Sequence, residues 1–490
     1  MKILQAASEA VPLVKTGGLA DVVGALPDAL ARAGVSSRLL LPGYPAVRAA
    51  LQAPRTLAPL PCPWGGVAPR LVAGRLEPFA QAPAYVVVAP ELYERPGGPY
   101  SDPTGAAWAD NHRRFAPLAW AARALARGAD TAWRPDVVHA HDWHAGLAPA
   151  ALAHAGQPAA SVMTVHNLAY QGLFPAQAFL DLDLPAAAWA LEGLEFWGQV
   201  SFMKAGLQYA QAISTVSPRY AQEIQDPAMG CGLDGVLRAH RGGVAGVLNG
   251  VDYGVWHPRI DPHLRQRFDA HDLRGKSVCK AELQQAQGLR PDPQAMLMAV
   301  VSRLTSQKGL DLLLQVLPQA LQHGAQLVVL GQGDAALEDG FAAAAKAYPG
   351  QVALRRAHDE TLAHRVFAAA DVVLVPSRFE PCGLTQLYAM AYGALPLVHH
   401  VGGLADTVVD TTLESLADDQ ATGLAFYRFD PSALASALRR AHLLWSRPAQ
   451  WTQVQQRAMA QRFDWDRAAH AYVALYEQAI ARRSALATLG

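Results

Sequence analysis

Two basic residues, Arg303 and Lys308, stand five positions apart in the segment VSRLTSQKGL, directly after an apolar run of strand length. A planar guanidinium and a flexible ammonium around one loop can bind a diphosphate. The alternative is a pair of solvated surface cations. Because ligands of open α/β sheets bind at the carboxyl ends of the strands, the position of this loop favours the diphosphate site.

The segment PSRFEPCGLTQ places Glu380 after another apolar run. Pro381 disfavours a helical conformation at Glu380, so we expect the acid at a strand end rather than on a solvated helix face. Gly383, Leu384 and Thr385 can then begin the next helix with free N–H groups for a phosphate.

The N-terminal segment KTGGLAD contains Lys15, Gly17, Gly18 and Asp21, between the first apolar run and a pattern of helical spacing. Paired glycines let a phosphate approach the backbone, a helix N-terminus supplies oriented N–H groups, and Lys15 adds a positive charge. The spacing fits neither a P-loop nor a dinucleotide-binding GxGxxG motif. Two interpretations remain, an anion-binding loop and a plain surface turn.

Histidines follow two further apolar runs, in the segments HAHDWH and TVHNLAYQG. The first suggests a metal site, but in an extended segment His139 and His141 would share a face from which Asp142 points away. We therefore expect no metal, and a sugar contact for Asp142 at a strand end. His166 and Asn167 can hydrogen-bond sugar hydroxyls, although a buried histidine satisfied by the backbone is the alternative for His166.

Short apolar runs alternate with longer Ala- and Leu-rich stretches of helical spacing, a pattern typical of βα units and parallel sheets. The segment 251–292 shows no strand pattern, and we place the junction of two α/β domains there. The crevice between two such domains is the expected active site. The predicted strands are Lys2–Ala7, Ser37–Leu41, Ala84–Ala89, Asp136–Ala140, Ser161–Val165, Ala212–Val216, Gly246–Leu248, Met296–Ser302, Gln326–Leu330, Gln351–Leu354, Asp371–Val375 and Leu395–His399.

The composition restricts the class of protein. A chain of 490 residues with 51% hydrophobic and 17% charged residues has the material for two large cores and little tendency to disorder. Because 41 basic residues balance 41 acidic ones, no net field would attract nucleic acid or an anionic membrane. Four scattered cysteines and the lack of an export leader predict a cytoplasmic protein without a membrane span.

Taken together and in this order, six segments resemble the bacterial glycogen synthase family, a branch of the two-Rossmann-domain retaining glycosyltransferases of GT-B type. They are KTGGLADVVGALP, RPDVVHAHDWHAGLAP, TVHNLAYQG, VLNGVD, SRLTSQKGLDLL and PSRFEPCGLTQLYAM. The resemblance implies an α/β fold of two doubly wound Rossmann-like domains that face each other across a deep cleft. It implies an acceptor-side domain over 1–255, a nucleotide-sugar domain over 256–462, and a C-terminal helix over 463–490 that crosses back to the first domain.

The resemblance also implies an activity, the transfer of glucose from ADP-glucose to the non-reducing end of glycogen or a malto-oligosaccharide. Configuration would be retained, and no metal or other cofactor would be required. The alternatives are a glucan synthase that uses UDP-glucose and a catalytically silent glucan-binding homologue. The segments KTGGLAD and EPCGLTQ disfavour a sucrose- or trehalose-type synthase, and a glycan phosphorylase would need a much longer chain. The oligomeric state is left open.

The roles of individual residues follow from the same resemblance. Glu380 would address the transferred glucose, and the backbone or the ring of His166 would bind its 6-hydroxyl. The departing diphosphate would be bound by Arg303, Lys308, Gly383, Leu384 and Thr385, next to Cys382. Donor, glucosyl or acceptor contacts would come from Lys15, Gly17, Gly18, Asp21, Tyr100, Asp142, Asn167 and Asn249.

One position departs from the family pattern. The resemblance implies a basic pair before the segment GGLADTV, whereas this sequence has His399 and His400 there. The local charge is therefore expected to depend on pH.

Overall fold

The computed structural model describes residues 1–77, 79 and 83–489, including side chains as far as residue 485. The chain divides into two compact units. Unit 1 comprises Met1–Gly250 and Trp465–Gly490, and unit 2 comprises Val251–Asp464.

Unit 1 is built on a sheet of order β12-β11-β7-β6-β1-β2-β5-β4-β3, and β8, β10 and β9 form a separate small sheet. The strands are β1 Lys2–Ala6, β2 Ser36–Pro42, β3 Leu51–Pro59, β4 Arg70–Leu76, β5 Pro83–Val88, β6 Val137–His141, β7 Ala160–Val165, β8 Leu173–Pro175, β9 Glu195–Phe196, β10 Gln199–Ser201, β11 Ala212–Thr215 and β12 Val244–Gly246.

Helices lie between these strands, as the alternating pattern predicts. They are α1 Gly18–Arg32, α2 Pro45–Ala49, α3 Pro90–Tyr93, α4 Asn111–Ala126, α5 Asp142–Ala145, α6 Leu147–Ala153, α7 Phe202–Tyr209, α8 Pro218–Glu223 and α9 Asp234–Ala239. Two 3₁₀ turns occupy Ala176–Asp181 and Ala186–Ala188. Helix α1 ends before Gly34, whose φ of 78° suits a glycine.

The central part of the large sheet is parallel, and one edge is not. Strands β3 and β4 pair antiparallel with each other, and β4 pairs antiparallel with β5. Neither β3 nor β4 is among the predicted strands. The strand predicted at Gly246–Leu248 has the wrong bounds, since the observed strand is β12, Val244–Gly246. Its last residue pair is Gly246 with Thr215, although the apolar run in the sequence continues beyond Gly246.

Unit 2 has one parallel sheet of order β15-β14-β13-β16-β17-β18. The strands are β13 Leu297–Val301, β14 Gln326–Leu330, β15 Val352–Arg355, β16 Val372–Val375, β17 Leu395–His399 and β18 Leu424–Phe426. The helices are α10 Arg274–Ala286, α11 Leu310–Ala320, α12 Ala335–Ala347, α13 Glu360–Ala369, α14 Thr385–Ala391, α15 Gly402–Thr407, α16 Leu413–Ala417, α17 Pro431–Trp445 and α18 Pro448–Ala460, with 3₁₀ turns at Ser306–Lys308 and Gln322–Gly324.

Both large sheets reverse their strand order at the first strand. In unit 1, β1 lies between β2 and β6, and in unit 2, β13 lies between β14 and β16. Such a switch point leaves a crevice at the carboxyl ends of the two central strands, where open α/β sheets bind ligands. The fold class predicted from the sequence, two doubly wound α/β domains, is confirmed.

The last helix, α19 Trp465–Leu489, belongs to unit 1. It packs on α1 and β7, and its Trp465, Tyr472 and Tyr476 lie in one buried cluster with residues of α1. Position 490 of the predicted segment lies outside the described residues. Within the described ranges, no helix is long and apolar enough to span a bilayer.

Candidate functional site

At the switch point of unit 2, the loops after β13 and β16 bring a cation and a carboxylate into contact. Lys308 Nζ lies 2.6 Å from Glu380 Oε2, and the carboxylate is buried while the ammonium remains partly exposed. The second carboxylate oxygen, Oε1, has no partner among the described residues. One oxygen of Glu380 is therefore held, and the other is available to a ligand.

Gly309 explains why the two loops can approach so closely. Its φ is 64°, and a Cβ atom at this position would lie 2.0 Å from the carbonyl oxygen of Pro376 in the neighbouring loop. Any side chain here would separate the loops and would also strain the backbone. The contact between Lys308 and Glu380 thus depends on a glycine that directly follows the lysine.

Two further groups fix the position of Glu380 from the side of β16 and β17. Ser377 Oγ donates a hydrogen bond of 2.8 Å to Glu380 Oε2. His399 Nδ1 donates to the carbonyl oxygen of Ser377 at 2.8 Å, and its ring stacks on Phe426. His399 is buried, so it stabilises the backbone beneath Glu380. His400 packs against the ring of Tyr427.

The remaining predicted residues of unit 2 lie in the loops after β13 and β16 and at the start of α14. Arg303 is exposed and makes no ion pair with any described residue. Helix α14 begins at Thr385, as predicted, and Thr385 Oγ1 donates to the carbonyl oxygen of Val301 at the end of β13. Gly383 has a φ of 74°, a conformation that favours glycine. Cys382 is buried beneath this turn.

In unit 1, the loop between β1 and α1 carries the predicted Lys15 and glycine pair. Lys15 Nζ forms an ion pair of 2.8 Å with Asp21 Oδ1. Gly17 precedes the first residue of α1, Gly18, and a Cβ atom on Gly17 would meet no described atom within 4 Å. The packing of the protein does not require a glycine at position 17, so the open space there is consistent with a ligand that approaches the backbone.

The same loop contains an acid that the sequence did not single out, Glu9. It is buried and accepts hydrogen bonds from Thr16 Oγ1 at 2.7 Å and from Tyr100 OH at 2.6 Å. Burial raises the pKa of Glu9, and these hydrogen bonds oppose the shift. Tyr100 also bonds to Ser8 Oγ at 2.7 Å. The only sequence signal was an acid in a mostly apolar N-terminal segment.

Asp142 follows β6 and supports the end of β7. Its φ is 57°, and its Oδ1 accepts hydrogen bonds from the backbone N–H groups of His166 at 3.0 Å and Asn167 at 3.4 Å. Burial raises the pKa of Asp142 to about 7. Asn167 Oδ1 in turn accepts from the N–H of Ala169. The structure therefore brings Asp142, His166 and Asn167 together.

His139 and His141 in β6 and His166 after β7 make hydrogen bonds to protein groups, whereas neither ring nitrogen of the buried His144 has a partner among the described residues. His139 and His141 lie on one face, as predicted, with ring centroids 4.0 Å apart. His166 Nε2 lies 3.0 Å from His141 Nδ1, and burial lowers the pKa of His166 to about 3. Among the described residues, no group of three or more His, Cys, Asp or Glu side chains is arranged to hold a metal ion.

Asn249 lies next to the last residue of Met1–Gly250, the first of the two chain segments that form unit 1. Its side chain is buried, and its Oδ1 has no hydrogen-bond partner within the described part of the chain. Because a buried acceptor without a partner costs about 1–3 kcal/mol, this oxygen is suited to accept a hydrogen bond from a ligand.

Comparison with known sequences gives the family. The profile described as starch synthase catalytic domain matches residues 2–239, and that described as glycosyl transferases group 1 matches residues 296–442. The glycogen synthase of Yersinia enterocolitica is 52% identical over 98% of this chain and 100% of its own length. That of Variovorax paradoxus is 52% identical over 98% of this chain and 99% of its own.

Comparison with solved structures agrees. The catalytic domain of starch synthase IV from Arabidopsis thaliana, bound to ADP and acarbose, superposes with a TM-score of 0.87 at 28% identity, covering 98% of this chain and 99% of that one. A sucrose-phosphate synthase from Thermosynechococcus elongatus, at 19% identity and a TM-score of 0.60, shares the fold over 98% and 99% of the two chains. The predicted family is confirmed: this chain belongs to the glycogen synthase family of two-domain glycosyltransferases.

Proposed function

We propose that the chain transfers glucose from ADP-glucose to the non-reducing end of an α-1,4-glucan, glycogen or a malto-oligosaccharide, with retention of configuration. The observation that carries this proposal is the contact between Lys308 and Glu380 at the switch point of unit 2. In this contact Lys308, the cation that we assign to the phosphates, holds Oε2 of Glu380, while Oε1 remains available to the sugar. The relatives named glycogen synthase support the reaction, and the ADP in the starch synthase IV structure supports the adenine nucleotide.

The chemistry requires opposite charges at the two ends of one bond. When the anomeric carbon–oxygen bond breaks, positive charge develops on the sugar ring and negative charge on the diphosphate. Lys308 and the exposed Arg303 stabilise the diphosphate, together with the first N–H groups of α14. The available oxygen of Glu380 faces the sugar. Because protein cations neutralise the leaving group, the reaction requires no metal ion.

Unit 1 supplies neutral groups for the hydroxyls and one further cation. Lys15 and the open backbone at Gly17 contact the donor, while His166, Asn167 and Asn249 bond to hydroxyl groups. The acceptor hydroxyl then attacks the anomeric carbon from the same face that the diphosphate leaves, so the configuration is retained. An oxygen of the departing phosphate takes the proton of the attacking hydroxyl. We further propose a cytoplasmic enzyme that needs no nucleic acid or membrane partner.

Incorporation of labelled glucose into glycogen, measured from ADP-glucose and from UDP-glucose with and without EDTA, tests the proposal. We expect incorporation from ADP-glucose that EDTA leaves unchanged, and a new linkage with the α-anomeric proton signal. Incorporation from UDP-glucose alone would overturn the donor assignment, and loss of activity in EDTA would overturn metal independence. No incorporation from either donor would indicate the catalytically silent homologue.

A further inference from the structure

A continuous chain of buried hydrogen bonds in unit 1 joins the last helix to His166. We call it the histidine relay and define it as Tyr476, Gln5, His141 and His166, with His139 as a side branch. Tyr476 OH lies 3.1 Å from Gln5 Nε2 and 2.9 Å from His139 Nδ1. Gln5 Oε1 lies 2.6 Å from His141 Nε2, and His141 Nδ1 lies 3.0 Å from His166 Nε2.

The two contacts of the Gln5 amide determine the direction of this relay. At 2.6 Å the contact to His141 lies just below the usual range for an N–H donor to oxygen and is too short for an amide NH₂ group that faces a ring nitrogen, so it favours a ring N–H that donates to the amide oxygen. The contact of 3.1 Å to Tyr476 lies within the range for an N–H donor and beyond the range for an O–H donor to oxygen. Gln5 therefore accepts from His141 and donates to Tyr476.

This direction fixes the position of the proton on each ring. Burial lowers the pKa of His141 well below its ordinary value and that of His166 to about 3, so both rings are neutral and each carries one N–H. His141 uses its Nε2–H for Gln5, so its Nδ1 accepts from His166 Nε2–H. The Nδ1 of His166 then carries a lone pair and has no partner among the described residues.

We propose that Tyr476 and Gln5 are positioning residues that hold His166 as the Nε2–H tautomer, so that its Nδ1 accepts a hydrogen bond from a hydroxyl of the transferred sugar. The identity of that sugar rests on the function proposed above, whereas the tautomer rests on the relay alone. His166 would touch the substrate, and the other members of the relay act through it.

The hydroxyl of Tyr476 keeps the Gln5 amide from turning over. It accepts from the amide and donates to His139 Nδ1, which leaves His139 Nε2–H to donate to Thr164 Oγ1 at 2.6 Å. Without the hydroxyl, the amide can rotate by half a turn and offer its NH₂ group to His141. The relay would then reverse, and His166 would present an N–H where the sugar hydroxyl needs an acceptor.

Ring ¹⁵N spectra of histidine-labelled full-length protein, with His166 assigned through His166→Gln, measure the tautomer without requiring activity. We expect the Nε2–H pattern in the wild type, and a mixture or the Nδ1–H pattern in Tyr476→Phe and Gln5→Leu. Tyr472→Phe is the matched control, because this buried tyrosine on the same helix packs on His139 through its ring and lies outside the relay. An Nδ1–H pattern in the wild type, or an unchanged His166 signal in both relay variants, would overturn the proposal.

Kinetics then connect the tautomer to the sugar. Tyr476→Phe should lower kcat/KM by about tenfold with ADP-glucose, the order of one lost hydrogen bond, while Tyr472→Phe should not. The 6-deoxy analogue of ADP-glucose lacks the 6-hydroxyl and therefore cannot bond to His166 Nδ1. With this donor, kcat/KM of the wild type should fall by a similar factor. The substitution Tyr476→Phe should then lower kcat/KM little further, because the same bond is already lost. Additive losses would overturn the link to the sugar. A wild type with no transferase activity but the expected tautomer would refute the proposed function and leave the relay intact.

Discussion

In both units the candidate residues follow strands of the large sheet, but the residues differ in charge between the two units. In unit 2, Lys308 and Glu380 form a charged pair, and Arg303 is exposed in the loop after β13. In unit 1, His166 is buried and neutral, and burial raises the pKa of Asp142 to about 7. Under the proposed function, unit 2 stabilises the charges of bond cleavage, while unit 1 recognises hydroxyl groups mostly through neutral hydrogen bonds.

The largest expected effect tests the carboxylate of unit 2. Glu380→Gln keeps the shape of the side chain and removes its charge, so we expect kcat to fall by about 10³-fold. Substrate binding should change much less, because the charge matters most when the bond breaks. Initial rates with ADP-glucose and glycogen measure both quantities.

A neighbouring ion pair provides the control for Glu380→Gln. Asp311→Asn removes the carboxylate of the exposed pair between Arg378, in the loop after β16, and Asp311, in the first turn of α11. Its kcat should stay within about twofold of the wild type, because an exposed pair contributes only about 0–1 kcal/mol. Equal losses of kcat in the two variants would mean that a change in the local structure, and not the lost charge of Glu380, lowers the activity.

The next effect concerns the unpaired cation of unit 2. Arg303→Ala should lower kcat/KM by about 10²-fold, because a charge-assisted contact to the diphosphate is lost. Thermal unfolding should not change, since Arg303 is exposed and makes no ion pair with the described residues. Arg303→Lys should recover part of the activity, and wild-type turnover in Arg303→Ala would refute the assignment.

A smaller effect is expected from the one cation that we assign to the donor in unit 1. Lys15→Gln should raise the KM for ADP-glucose about tenfold and change kcat little, because Lys15 would contribute to binding more than to cleavage. Titration of the donor at saturating glycogen measures this split. A fall in kcat of about tenfold or more, with the KM for ADP-glucose unchanged, would mean that Lys15 acts in bond cleavage, as we propose for the cations of unit 2.

The smallest expected effect is on stability and depends on pH. The pKa of Asp142, about 7 in the folded protein, lies above its ordinary value of 3.8, so the folded state binds the proton more tightly than the unfolded state. The contribution of this group to the free energy of unfolding therefore falls as the pH rises from about 4 to 7. Above pH 7 the buried carboxylate is ionised, and the protein remains destabilised by the full amount. Lowering the pH from about 7 to 4 restores the lost stability.

Asp142→Asn removes the charge, keeps the Oδ1 acceptor for His166 and Asn167, and tolerates the φ of 57°. We expect it to raise the free energy of unfolding by about 1–2 kcal/mol at pH 8 and by clearly less at pH 5. Urea unfolding at the two pH values measures the difference. An equal change at both would show that the carboxylate of Asp142 is not destabilised by burial.

The parallel parts of both sheets could be predicted because each central strand is a compact apolar run followed by a turn. The edge strands β3 and β4 could not. Most of β3 is exposed, and β4 is interrupted by Gly74, so neither shows a strand pattern. A glycine is required at position 74, because a Cβ atom there would lie 2.8 Å from the backbone carbonyl oxygen of Gln52 in β3.

The candidate site was predictable where its residues follow strands. Lys308 and Glu380 could be assigned to neighbouring loops, but their direct contact depends on the approach of Gly309 to Pro376. Glu9 was not predicted, because its partner Tyr100 is 91 positions away. His139 is satisfied by Tyr476, 337 positions later, and no local pattern reports a pairing over that distance.

The place of α19 in unit 1 has a consequence for the order of synthesis. Unit 2 is one continuous stretch, Val251–Asp464, inserted between the two parts of unit 1. On the ribosome, all of unit 2 emerges before the helix that covers the apolar cluster around Ile3 and Val162 and delivers the hydroxyl of Tyr476. Unit 2 can thus fold as it is made, whereas the nascent unit 1 must keep that cluster uncovered until its last turns of helix are translated.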